Sequence, residues 1–346
     1  MPFIIKEDVI EFDDLERILD LSQTHDYLSE VYNFLMEWFD TSSTISVQTS
    51  GSTGTPKSIS LSKSAMIASA HKTGHYFGFE KNTKALLGLS AKYIAGKMMI
   101  VRALVYDFEL ILVEPSSNPL KDADRGIDFV PLTPHQLMIA WSESPDKFNK
   151  VGQVLLGGSP VNNTHKSIIK KLSSHVYQGF GMTETITHIA VKSLSDGDDH
   201  YQPLHGVSVS SDDMGRMVIS ADHLDDVIVT NDLVDINQDN AFCWLGRLDN
   251  IINTGGVKVY PEVIENKLQE HMSEYLFFIH KEEDTILGEK VVMMIESEVD
   301  VITLDLATVF NEVLEKYERP RHSYIMKSFV FTETGKINRK ATFANK

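Results

Sequence analysis

The chain has 346 residues, long enough for two domains with sizeable cores, and its 42% hydrophobic and 23% charged content is ordinary for a globular protein. Thirty-two lysines and arginines against 49 acids leave a net charge of −17, which disfavours non-specific binding to nucleic acid or anionic membrane. A bound polyanion must be gripped locally by a few lysines, backbone amides or a metal ion. Cys243 is the only cysteine, which rules out an internal disulfide and fits a reducing, cytoplasmic compartment.

The N-terminus, MPFIIKEDVIEFDD, turns acidic where a signal peptide would extend its apolar core. HDYLSEVYNFLMEWF then spaces Leu28, Val31, Leu35 and Trp38 at helical intervals. Two strand-like runs, 45–48 and 58–61, bracket SGSTGTPKS and lead into a helix capped near Ser62 or Ser64. Beyond it strands and helices alternate: ALLGLS, the helical GKMMIVRALVY, ELILVEP, DFVPL, the helix-starting TPHQLMIAW, QVLLGG, the helical PVNNTHKSIIKKL and HVYQGFG. That alternation predicts an α/β domain with a mostly parallel sheet. The most apolar long window, MMIVRALVYDFELILV, is interrupted by Arg102, Asp107 and Glu109, so no membrane span is expected.

From about residue 188, shorter strands separated by Asp, Gly and Asn turns predict a β-rich subdomain finishing the large domain. There Cys243, between Phe242 and Trp244, is expected as a buried strand residue rather than a nucleophile. Past Gly246 the helix PEVIENKLQEHM, strands YLFFIH and KVVMMIE, helix LDLATVFNEVLEKY and strand HSYIMKSFVF predict a small α+β domain. The expected division is 1–245 and 246–346, with the boundary at GRLDN.

SGSTGTPKS poses the chemical question. Set in the register GxxxxGK[ST] from Gly51, it puts Pro56 where a Walker loop needs its second glycine, which removes an amide that would face phosphate. A Walker cradle is therefore a poor reading, and a hairpin grip rich in hydroxyls is a better one. His71 and His75 have helical metal-ligand spacing but lack a nearby acidic partner, so zinc is not expected. The acidic run from Asp196 to Asp199 reads as a solvated turn, and Met98 and Met99 as core.

SGSTGTPK, GFGMTET, TNDLVDI with AFCWLGRLDNIINTGGVKVYPEVIE, and ETGKINRK occur in the order and rough separations of the adenylate-forming superfamily. The chain resembles its acyl-CoA ligases, peptide-synthetase adenylation domains and luciferases over nearly its whole length. LLGGSP, GFGMTET and INTGGVKVYPEVIE look most like the o-succinylbenzoate–CoA ligases of menaquinone biosynthesis. The resemblance implies ATP and Mg²⁺ as cofactors and CoA as co-substrate. Attack of a carboxylate on the α-phosphorus brings anions together, so the catalyst mainly positions groups and neutralises charge. Thr49, Ser50, Gly51, Ser52, Thr53, Gly54, Thr55 and Lys57 would then grip the β- and γ-phosphates; a surface turn is the bland alternative.

By the same resemblance Glu184 is the Mg²⁺ ligand and Thr183 lies beside the α-phosphate. Gly157, Gly158 and Ser159 would let adenine approach bare backbone, although a tight strand-to-helix turn explains them equally well. In Gly179-Phe180-Gly181, Phe180 stands where the superfamily often has tyrosine, so a ring can stack while a hydroxyl contact is lost. Asp232 and Arg247 match the ribose-binding acid and a hinge-side arginine; a turn aspartate and a surface ion pair are the alternatives. Asp249 matches the hinge, Lys336 the lysine inserted at the α-phosphate during adenylation, and Gly255, Gly256 and Tyr260 the CoA tunnel.

The pattern departs in two places. The phosphate loop begins near residue 50, so the chain is expected to be shortened at its N-terminus, with an acyl pocket more open or completed by another subunit. Tyr93 stands where the related ligases usually carry a histidine that shapes the acyl site. Lys97 and Arg102 are candidates to meet a dicarboxylate, or else exposed helix residues; Thr187 and His188 are further acyl-site candidates. The expectation is a cytoplasmic acid–thiol ligase, with o-succinylbenzoate the leading substrate. A carrier-protein-loading enzyme and a catalytically silent nucleotide-binding relative are the rivals. No nucleic-acid partner is expected, and a homo-oligomer is left open.

Overall fold

The structure, a computed structural model, describes residues 2–5, 8–48, 58–299, 302–331 and 337–346. Along the chain it contains β1 (Pro2–Ile5), β2 (Asp8–Glu11), α1 (Leu15–Ser22), α2 (Asp26–Phe39), β3 (Thr44–Gln48), β4 (Ser58–Ser62) and α3 (Lys63–Phe77). Next come β5 (Lys84–Leu87), α4 (Ile94–Tyr106), β6 (Glu109–Leu112), β7 (Ile127–Leu132), α5 (Pro134–Glu143), β8 (Val151–Leu156), α6 (Asn163–Ile169) and β9 (His175–Gly181). β10 (His188–Ser193), β11 (Gln202–Pro203), β12 (Val207–Ser211), β13 (Arg216–Ala221), β14 (Ile228–Ile236) and β15 (Phe242–Arg247) follow. The last part holds β16 (Ile252–Thr254), β17 (Val257–Val259), α7 (Pro261–Leu268), β18 (Leu276–Asp284), β19 (Gly288–Glu296), α8 (Leu306–Val313), β20 (His322–Met326) and α9 (Arg339–Ala344).

The α/β expectation holds. A nine-stranded sheet in the order β11-β10-β9-β8-β7-β5-β6-β1-β2 is parallel from β9 to β1, with antiparallel strands at both ends. β5 pairs with β6 on one side and β7 on the other, so the strand order reverses there, and ligands of such sheets bind beyond the carboxyl ends at the reversal. β12 to β15 form a separate antiparallel sheet, and β16 to β20 a third. Among the described residues no helix is long and apolar enough to cross a membrane.

Local chemistry sets the helix starts. Ser62 caps α3 by accepting the Ala65 amide at 3.1 Å, and Thr133 with Gln136 forms a reciprocal capping box on α5. α4 is apolar nearly all round and buried on all sides, as a helix sandwiched within a core must be. α2 buries Phe34 with Leu28, Val31 and Leu35, whereas Trp38 stays half-buried.

One stretch given no expected structure forms strands, and two expectations change. The N-terminal residues form β1 and β2 on the nine-stranded sheet, β1 lying parallel to β6. Cys243 is half-buried because β15 is the edge strand of its sheet. α8 stops at Val313, short of the predicted run: the Glu318 carboxylate accepts the Glu315 amide at 2.9 Å and gives the chain a local alternative to helix.

Candidate active site

β8 and β9 are parallel neighbours, with Leu156 opposite Gln178, so the loops that leave them emerge at one edge of the sheet. Gly157, Gly158 and Ser159 follow β8, but α6 begins only at Asn163, so they form an open loop rather than the helix start itself. A Cβ on Gly157 would meet nothing within 4 Å, which leaves its backbone accessible to a flat ligand. Gly179 and Phe180 end β9. The Phe180 ring packs edge-on against Tyr201 and Phe242, at 5.5 and 5.3 Å, and so ties the nine-stranded sheet to β15.

Gly181 is dictated by close approach. A Cβ there would lie 2.2 Å from the Thr187 carbonyl oxygen and 2.5 Å from the His188 Cα. Between these residues Thr183, Glu184 and Thr185 make one 3₁₀ turn. Thr185 is fully buried and its hydroxyl accepts the Met182 amide at 3.0 Å, while Glu184 projects into solvent. A solvent-facing carboxylate at the end of a parallel strand is accessible to a hydrated Mg²⁺ ion.

On the buried side of the same turn lies a polar chain. Arg102 on α4 is 2% exposed; its Nη2 donates to Thr187 Oγ1 at 3.0 Å, and its Nη1 meets only the Met99 sulfur. Its Nε has no partner, and among the described residues no carboxylate pairs with it. Burial pulls the guanidinium down to about 9, so it is still a cation at neutral pH. An isolated buried charge costs several kcal/mol of desolvation, far more than one hydrogen bond to a hydroxyl returns.

His188 extends the chain, with Nδ1 3.1 Å from Thr187 Oγ1 and Nε2 3.3 Å from Thr73 Oγ1. Burial and then the neighbouring Arg102 cation hold its pKa well below the ordinary histidine value. In the neutral Nε2–H tautomer every proton has one direction: Arg102 to Thr187, Thr187 to Nδ1, Nε2 to Thr73, and Thr73 to the Ser69 carbonyl at 3.2 Å. A group whose folded pKa is depressed contributes stability above its unfolded value and loses it as pH falls. The melting temperature should therefore drop between pH 7 and 5, and His188→Gln should flatten that slope. Thermal melts of both proteins across this range check it; equal slopes would remove His188 from the account.

Lys97 is not an exposed helix residue either. It is buried, 3.3 Å from Glu37 and over the Phe34 ring, so its charge is already compensated within the protein. Tyr93, at the N-cap of α4, is 49% exposed. Thr73 and Ser69 escaped the motif reading, although their i,i+4 spacing puts two hydroxyls on one helix face.

Asp232 and Arg247 are cross-strand neighbours in β14 and β15. Trp244 Nε1 donates to Asp232 Oδ1 at 2.9 Å and fixes the carboxylate, a contact that no motif announced. Asp249, exposed, accepts weakly from Arg247 and Asn231, each at 3.4 Å. β15 runs through Arg247, and a single turn, Leu248–Asn250, separates it from β16; Asn250 donates to Glu262 on α7 at 2.5 Å. Gly255 and Gly256 are the two central residues of the β16–β17 hairpin, with φ of +57° and +83°. Positive φ at both is what a type I′ turn requires, and this accounts for the glycine pair independently of any ligand. Tyr260 occupies the N-cap position of α7. The phosphate-loop residues Thr49, Ser50, Gly51, Ser52, Thr53, Gly54, Thr55 and Lys57, and Lys336, lie outside the described residues.

The AMP-binding enzyme family matches residues 29–218. An acyl-CoA synthetase (AMP-forming)/AMP-acid ligase II-like protein from Dyadobacter fermentans is 37% identical, with 93% of this chain and 95% of that one covered and a TM-score of 0.63. A 2-succinylbenzoate–CoA ligase from Staphylococcus epidermidis is 25% identical over 327 residues, covering 84% of this chain and 68% of that protein. For the Haemophilus influenzae ligase of that name the chain spans 58% of its length. The o-succinylbenzoate CoA synthetase of Bacillus subtilis, solved with its acyl-adenylate intermediate, shares the fold at a TM-score of 0.76 and 19% identity, over 85% of this chain and 68% of that one. With its parallel sheet, its β-rich sheets and its loops converging beyond β8 and β9, the chain belongs to the AMP-binding enzyme family, the AMP-forming acid–thiol ligases of the adenylate-forming superfamily.

Proposed function

We propose that this protein activates a carboxylic acid with ATP, releasing pyrophosphate, and passes the acyl group to CoA, with o-succinylbenzoate as the acid. The observation that carries the reading is Arg102: a buried cation with no acid partner among the described residues, bonded to Thr187 three residues beyond Glu184. An aromatic dicarboxylate suits that arrangement. Its aromatic carboxylate would meet Arg102, with Thr187 and His188 alongside, while its succinyl carboxylate attacks the α-phosphorus. The relatives named 2-succinylbenzoate–CoA ligases support this choice over a monocarboxylate.

Each group has a role in the chemistry. Glu184 would hold Mg²⁺, which when bound neutralises charge on the phosphate oxygens. Thr183 is placed beside that carboxylate to bond the α-phosphate, and Asp232, fixed by Trp244, offers its remaining oxygen to the ribose hydroxyls. Lys57 with the hydroxyls around it would take the β- and γ-phosphates. Lys336 would stabilise the charge that develops at the α-phosphate. The division at the Leu248–Asn250 turn, with Asp249 as pivot, is part of the same proposal.

Pyrophosphate release over a panel of aryl, succinyl and simple carboxylates, with and without CoA, tests the reading. Thioester from o-succinylbenzoate and free CoA is expected. Turnover of a monocarboxylate alone would remove the substrate, acceptance only by a carrier protein would remove CoA, and no release with any acid would leave a silent nucleotide-binding protein. At limiting Mg²⁺, Glu184→Gln should slow release by about tenfold or more. An unchanged rate would take Glu184 out of the metal site.

A further inference from the structure

Ile186 lies between Glu184 and Thr187, is 1% exposed, and adopts φ +68° and ψ −56°. Positive φ is costly for any side chain and most costly for a β-branched one. Asp107 and Asn240, the other described non-glycine residues with positive φ, are types that tolerate it. The Thr187 amide donates to the Thr185 carbonyl at 2.8 Å, which closes the ring of the rare positive-φ γ-turn. Nothing in the sequence announces it: an isoleucine argues for extended backbone.

Such a conformation persists only where its surroundings over-determine it. Here the Thr185 hydroxyl donates to the Thr187 carbonyl at 2.8 Å, the Ile186 side chain is locked in the core, and Gly181 leaves room for that same carbonyl. The turn reverses the chain within one residue. It leaves a single tight turn between exposed Glu184 and the Thr187 hydroxyl that is bonded to buried Arg102. Extended backbone would instead carry them apart at about 3.3 Å per residue.

We infer that Ile186 is a positioning residue for acid activation: its buried side chain holds the γ-turn that fixes the Arg102–Thr187 contact relative to Glu184. Through them it sets the held carboxylate of the acid relative to the phosphates. The inference rests on the roles given above to Glu184 and Arg102. Neither the family's motifs nor the acyl-site candidates include this residue.

The experiment compares Ile186→Gly, the milder Ile186→Ala in case glycine prevents folding, the conservative Ile186→Val, and Ile219→Ala. Ile219 is fully buried in the four-stranded sheet, and its variant is a control for stability alone. Two readouts are taken: kcat and KM in pyrophosphate release, and the His188 ring nitrogen signals by NMR. Ile186→Gly or →Ala should lower kcat by about tenfold or more, as expected for a displaced reacting group, with KM for ATP little changed and the His188 Nδ1 signal shifted. Ile186→Val should restore both, and Ile219→Ala should keep kcat at a comparable loss of melting temperature. An unshifted His188 signal with full kcat in Ile186→Gly overturns the inference, as does an equal loss in Ile219→Ala. If the unsubstituted protein releases no pyrophosphate with any acid, the functional reading falls. The His188 signals then decide alone: shifted, Ile186 holds the contact; unshifted, it does not.

Discussion

Arg102→Met raises the melting temperature by about 2–4 °C while lowering kcat/KM for the acid by about 10²-fold. The two effects have opposite signs if, as proposed, the guanidinium is buried for a ligand and not for the fold. It makes one hydrogen bond of ordinary length, to Thr187, and a long contact to the Met99 sulfur, and its Nε has no partner. Methionine fills a similar volume with no charge to desolvate, and helices accept it readily. The expected gain is about 1–2 kcal/mol after the lost hydrogen bond to Thr187 is deducted. The activity loss follows from removing the cation proposed to meet the second carboxylate. It should appear with o-succinylbenzoate and shrink with a monocarboxylate, which has no second anion to hold. Melts and acid-dependent pyrophosphate release on the same preparation decide it. A destabilised Arg102→Met protein with normal selectivity between the two acids would show that the arginine serves packing.

Lys336→Ala slows acyl-adenylate formation by about 10²-fold or more but leaves thioester formation from synthetic acyl-adenylate nearly unchanged. Lys336 is nearly three hundred residues from the phosphate loop in the chain and follows β20. Phe331 and Ile337, which flank the segment containing it in the sequence, pair with each other. In the proposed mechanism Lys336 would reach the α-phosphate only when the C-terminal domain closes in one orientation. Thioester formation, in the same proposal, uses another orientation, in which the Gly255–Gly256 hairpin would face the site and Asp249 would absorb the rotation. Asp249→Pro should have the reverse effect on the two steps, because a locked φ restricts the pivot. Supplying acyl-adenylate and CoA to Lys336→Ala separates the cases. If thioester formation falls as far as overall turnover, the two-orientation mechanism is wrong for this chain.

The parallel sheet was legible because β5, β7 and β8 are short apolar runs broken by helices, a signal that depends only on neighbours in sequence. The same holds for the Gly-Phe-Gly end of β9, a run of residue types unusual enough to stand out in a linear pattern. β1 and β2 were not legible. Four-residue strands next to acidic residues carry little periodicity, and they are strands because β6 offers an unpaired edge.

By itself, then, the sequence determined the fold class and the order of the chemical motifs, since both follow from local periodicity and residue type. It could not separate Lys97 from Arg102, which sit five residues apart on one helix and looked alike as buried or exposed cations. Tertiary structure separated them, because it brought Glu37 to one and only hydroxyl and sulfur to the other. The charge balance of a buried group is a property of what surrounds it in space. The strained Ile186 turn belongs to the same class: its backbone conformation is held against the preference of its own side chain, by Thr185, by Gly181 and by the core around it.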